Sequence, residues 1–165
     1  MYYRGEVLDF VNMLLTDTAA PLMRSRLVFS SKIDVERLKA AVLSSAQIVP
    51  EIFAHYQADH NRFEVINQQV DDIVIEAQSP YSPENFDFNF KTGPQLRLFV
   101  IHHDQYDVLQ AFMSHLLTDS VGFKEYLYLL SQAYNLDDLT GVTNERRLRS
   151  VMPELQRQFQ RPNRH

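Results

Sequence analysis

The sequence contains no cysteine in its 165 residues. That absence excludes disulfides, thiolate metal sites and a cysteine nucleophile together, and it is compatible with a reducing compartment. No apolar run approaches the roughly 18 residues that a membrane helix needs. The opening residues, MYYRGEV, include an early acid and no apolar segment, so they do not read as a secretory signal. The expectation is a cytoplasmic protein with no membrane span.

What is present is the composition of a globular domain, 45% hydrophobic and 22% charged. The length suits one compact domain with a real core and is short for two. The net charge of −5 is unevenly spread. Residues 144–165 hold six arginines against Glu145 and Glu154, about +4, leaving about −9 on the rest. Within that basic end Leu148, Val151, Leu155 and Phe159 recur three or four apart, as on an amphipathic helix that packs on something. The acidic body and the lack of a recognition motif argue against nucleic-acid binding. The chain therefore divides into a body, residues 1–140, and a basic amphipathic segment, residues 141–165.

Along the body, Val7, Phe10, Val11, Leu14 and Leu15 predict a first helix. Leu22–Ser30 reads as a strand. Asp34 is placed to cap a second helix bearing Val35, Leu38, Val42, Ser45 and Val49, which Pro50 ends. IFAHYQ and RFEVI flank the polar segment ADHN and predict a hairpin, with His55 and His60 at the surface. A short strand is expected at Asp72–Glu76. Residues 77–94 read as a loop, in which Phe86, Phe88 and Phe90 should pin the chain to the body. Residues 95–102 and 106–113 form an antiparallel pair, and Asp119 or Ser120 caps a further helix carrying Phe123, Tyr126, Leu130 and Tyr134. The fold class is α/β, a sandwich of a mixed, largely antiparallel sheet flanked by helices.

Candidate chemistry lies in Ser114-His115-Leu116-Leu117-Thr118-Asp119-Ser120. A strand delivers His115 to its end, and a short connection leads to Asp119 at the start of a helix. Such a carboxylate can orient an imidazole and keep it neutral for proton abstraction. A carboxylate at a helix N-terminus is equally satisfied by the free N–H groups there. The alternative for His115 is a core histidine with its nitrogens satisfied by backbone. His102-His103-Asp104-Gln105-Tyr106-Asp107 matches His-His-x-x-x-Asp literally, but it lies between two strands and reads as a solvated turn. Neither pattern supplies a third metal ligand, and no metal is expected.

The order of elements and the 114–120 segment resemble the N-terminal lobe of the CoA-dependent acyltransferase superfamily: chloramphenicol acetyltransferase-like proteins, condensation domains and alcohol O-acyltransferases. The family signature is His-His-x-x-x-Asp-Gly at the end of a strand and the opening of a helix. PLMRSRLVFSSKIDVERLKAAVLSSAQIVPEIFAHY resembles the family's strand, helix and strand. GPQLRLFVI and VLQAFMSHLLTDSVGFKEYLYLLSQAY resemble its final hairpin and motif helix, so the resemblance covers about residues 5–160.

The resemblance implies that His115 is the general base and Asp119 a structural acid held by an arginine. Arg24 and Arg26 are its candidate partners, of which one is expected to point inward. Ser114 replaces the first motif histidine and Ser120 the glycine. A position that needs positive φ tolerates serine poorly, a demand that Gly122 is expected to absorb in part. The implied activity is transfer of an acyl group from a CoA or carrier-protein thioester, as substrate rather than bound cofactor, to an alcohol or amine. The family's Asp-Phe-Gly-Trp-Gly segment is absent, and the chain has no tryptophan. The expectation is accordingly a lobe that lacks turnover alone and is completed by a C-terminal lobe or a homodimer. The alternative is an inactive lobe kept for protein interaction or for holding an acyl ligand.

Overall fold

A computed structural model describes residues 2–4, 22–65, 67, 69–89 and 91–135. The first expected helix and the basic C-terminal segment lie outside the described residues, as does Phe90. Seven strands are described: β1 (Tyr2–Arg4), β2 (Leu22–Phe29), β3 (His55–Gln57), β4 (Arg62–Glu64), β5 (Val74–Gln78), β6 (Leu96–His102) and β7 (Asp107–Ser114). Two α-helices accompany them, α1 (Val35–Ser45) and α2 (Ser120–Tyr134).

The main sheet has the order β2-β7-β6-β5. Its pairs are antiparallel except for β5 with β6, which are parallel, so the sheet is mixed and largely antiparallel as expected. A smaller antiparallel sheet has the order β1-β4-β3. Its β1, in the MYYRGEV segment, has no counterpart in the sequence reading. The β3–β4 connection turns through Asn61, whose φ of 43° is left-handed and whose side-chain carbonyl accepts from the Tyr56 hydroxyl at 2.7 Å.

Strand alternation assigns the two faces of the main sheet. Leu96, Leu98, Val100, Leu109, Ala111 and Met113 point towards the helices and pack with Leu38, Val42, Phe123 and Leu130. Phe99, Ile101, Val108 and Phe112 point the other way, and Phe86 and Phe88 of the 77–89 loop cover them. The Phe88 and Phe112 rings lie 4.9 Å apart, and Phe86 meets Phe99 edge-on at 5.3 Å. These contacts are within the aromatic-pair range, and they pin the loop.

Asp34 caps α1, its side chain accepting from Arg37 N at 3.1 Å. The helix stops at Ser45, five residues before Pro50, and Val49 falls outside it. The two helices run antiparallel. Asp34 N donates to the Tyr134 hydroxyl at 3.1 Å, while the Tyr126 hydroxyl lies 2.9 Å from Ser45 Oγ. Ser45 Oγ donates onward to Val42 O at 2.7 Å. Burial pushes the Tyr126 phenol well above its ordinary value, which keeps it neutral. Among the described residues no helix is long and apolar enough to cross a membrane.

Candidate functional site

The end of β7 fixes the 114–120 segment. Ser114 is fully buried, and its N–H donates to Gln95 O at 3.0 Å. Its hydroxyl accepts from Leu116 N at 3.0 Å, and its carbonyl accepts from Leu117 N at 3.1 Å. The serine at the first motif position therefore closes the turn. A buried N–H left without that acceptor costs about 1–3 kcal/mol. Leu116 drops into a cluster with Ala54, Tyr56 and Phe63, while Leu117 enters the main core. His115 immediately precedes these anchors, half-buried, in the turn from β7 to α2.

Gln95 ties this turn to the segment that leads into β3. It is fully buried, its N–H donates to Ile52 O at 2.9 Å, and its side-chain amide donates to Ala54 O at 2.9 Å. Nothing local in the sequence marks it, because both of these acceptors lie about 40 residues away.

Asp119 caps α2, its carboxylate accepting from Gly122 N at 2.8 Å. It is exposed, and neither expected arginine reaches it. Arg24 lies 3.9 Å from Glu84 and 5.7 Å from the Phe112 ring, and Arg26 is exposed. The physical reason is the β2 register. Arg24 stands opposite Phe112 and Arg26 opposite Gln110, both on the sheet face away from the helices. Residues two apart in a strand share a face, so the expectation that one of them points inward is corrected.

Ser120 is the first residue of α2, and among the described residues Asn61 is the one non-glycine residue with positive φ. The backbone here accommodates serine where the family pattern has glycine. Gly122 answers a steric need instead. A Cβ on it would lie 1.8 Å from Thr118 Oγ1 and 3.2 Å from Thr118 Cβ.

The literal His-His-x-x-x-Asp match is an exposed turn only at 104–106; its ends, His102 and Asp107, belong to β6 and β7. Asp107 is fully buried and accepts from Ile33 N at 2.7 Å, with His102 Nδ1 at 2.9 Å and Lys32 Nζ at 3.2 Å. His103 stacks on Tyr106 at 4.4 Å. Asp107 and His102 are register partners, and alternation turns both towards the helix layer. There the backbone entering α1 needs an acceptor. Burial alone raises the Asp107 carboxyl, but the hydrogen bonds from Ile33, His102 and Lys32 outweigh it and hold the group below its ordinary value. Among the described residues no cluster of three or more His, Cys, Asp or Glu is arranged to hold a metal.

No protein-family model and no curated protein matches the sequence. Solved structures do match. TRI101 of F. sporotrichioides, complexed with coenzyme A and T-2, is similar at 14% identity and a TM-score of 0.64, over 85% of this chain and 42% of that one. The starter condensation domain of the rhizomide synthetase RzmA is similar at 11% identity and 0.62, over 87% and 39%. The teicoplanin X-domain, in its complex with OxyB, is similar at 15% identity and 0.64, over 79% and 32%. This chain thus spans between 32% and 42% of the length of these proteins. The likeness is one of fold, that of an acyltransferase-like lobe.

Proposed function

On the fold of an acyltransferase-like lobe, we propose that this chain supplies the histidine side of an acyl-transfer site. His115 removes the proton of an alcohol or amine as its oxygen or nitrogen attacks the carbonyl carbon of an acyl thioester on CoA or a carrier protein. The carbon–sulfur bond breaks, and the proton on the imidazolium passes to the departing thiolate. The observation that carries this reading is the strand–turn–helix at 114–120: a half-buried histidine followed by the buried Leu116 and Leu117 and then by a capped helix, at the place where the family motif falls. A neighbour of the same fold is described with coenzyme A bound, which supports a thioester donor.

A base alone contributes about 10²–10⁴-fold, and positioning and charge stabilisation supply the rest of an acyl-transfer rate. This chain spans 42% or less of the neighbours named above, so by itself it is expected to release no thiol from short-chain acyl-CoA.

The second reading is an inactive lobe that serves protein interaction or holds an acyl ligand. Ser114 in place of the first motif histidine favours it, as does the X-domain neighbour described in complex with OxyB. Titration of acetyl-CoA into isotope-labelled protein tests the first reading. Saturable shifts in the His115 ring signals and the 116–118 amides are expected. Shifts that leave those positions untouched would count against it.

A further inference from the structure

Arg97 is the one charged residue of β6, a strand otherwise almost wholly buried. Its guanidinium opens into a cleft of about 350 Å³ shared with His55, Asn67, Gln69, Asp72 and Thr92. One Nη donates to the main-chain carbonyl of Asp72, and the head group sits 5.2 Å over the Phe86 ring. Among the described residues no ion pair includes Arg97, and its buried Nε has no hydrogen-bond partner. A partly desolvated cation without a counter-ion is costly, and it is the commonest protein group for gripping carboxylate or phosphate.

Three further features shape the place. Gly93 borders the guanidinium, and a Cβ there would lie 2.8 Å from Nη2 and 2.9 Å from Asn89 O, so glycine keeps that edge open. Asp72 is the one carboxylate in the lining, and its exposed charge eases the burial that pulls the Arg97 guanidinium down without forming a contact pair. The other groups named are hydrogen-bonding side chains, two amides, a hydroxyl and an imidazole. They suit the polar remainder of a small molecule. The volume lies at the lower end of small-ligand sites.

We propose that this cleft binds a small oxyanionic metabolite, its phosphoryl or carboxylate group held by the open edge of Arg97 and its polar remainder by Asn67, Gln69, Thr92 and His55. His115 does not line the cleft, so this site stands independently of the acyl-transfer reading.

The test is a titration of ¹⁵N-labelled protein with inorganic phosphate and, separately, with acetate, each at constant ionic strength against chloride. The Thr92 and Gly93 amides and the Arg97 Nε–H signal should shift saturably, with a Kd on the order of millimolar for such fragments. Whichever anion binds tighter identifies the head group. R97Q should weaken binding at least about tenfold, and R97K, which keeps the charge without the fork, should fall between. Equal shifts with chloride, shifts that never saturate, or wild-type binding by folded R97Q would overturn the proposal. If R97Q does not fold, the location and saturation of the shifts in the unsubstituted protein decide it.

Discussion

Asp107 Oδ1 lies 2.9 Å from His102 Nδ1, and the same carboxylate receives the Ile33 N–H at 2.7 Å while being wholly shielded from solvent. One side chain thus joins the end of the β6–β7 hairpin to the start of α1. Replacing Asp107 with alanine removes the acceptor of a backbone N–H and strands Lys32 and His102. We expect a loss of about 2–4 kcal/mol in a denaturant melt, since Lys32 and His102 both retain some access to water. D107N, which keeps a carbonyl for Ile33, should lose about half as much.

The same group fixes a pH dependence. A carboxyl held below its ordinary value in the folded state contributes stability that is present above the unfolded carboxylate range, about pH 4, and is lost as pH falls through the folded value. Acid melts below about pH 4 should therefore show a steeper fall for the unsubstituted protein than for D107N. Parallel curves for the two proteins would exclude Asp107 as the source.

Asp119 should behave as a cap and nothing more. D119A is expected to cost about 1 kcal/mol, in the range of lost helix caps. In a double-mutant cycle with R24A or R26A the coupling should stay within about 0.5 kcal/mol, as for groups that do not touch. A coupling of several kcal/mol would restore the arginine brace that the family pattern implies.

These two carboxylates show what the sequence made legible and what it did not. The caps at Asp34 and Asp119 were readable because the signal is local, one side-chain oxygen and an N–H three residues on. The strands from Leu22, Leu96 and Asp107 were readable from runs of apolar residues. The partner of Asp119 was not, because it depends on which sheet face β2 turns towards the turn, and that follows from its register with β7. Asp107 is hidden for the same reason: a polar turn sequence masks a carboxylate that alternation directs inward. Arg97 does leave a signal, a lone charge inside an apolar strand.

Gly122 has no room for a methyl group unless Thr118 moves. G122A should destabilise the protein by about 1–2 kcal/mol, the overpacking cost less the gain in helix propensity. Adding T118A should recover most of the loss, because the Oγ1 that a Cβ would meet at 1.8 Å is then gone. A neutral or stabilising G122A alone would mean that Thr118 turns away freely.

The β2 edge exposes Leu27, Val28 and Phe29, with Val28 59% accessible. Among the described residues no strand pairs with its outer side, and such an apolar edge favours pairing with a second copy. Sedimentation at about 100 µM, where weak contacts populate, should show a dimer that V28K dissolves. A clean 19.3 kDa monomer of the unsubstituted chain would contradict this.

The acyl-transfer reading turns on what His115 meets. A crystal structure of the chain with a CoA thioester and an alcohol acceptor measures it most directly. The acceptor hydroxyl is expected within about 2.6–3.2 Å of a His115 ring nitrogen, the reach of a general base. A thioester and acceptor bound elsewhere, with both His115 nitrogens engaged by the protein itself, would contradict the assignment of His115 as the base.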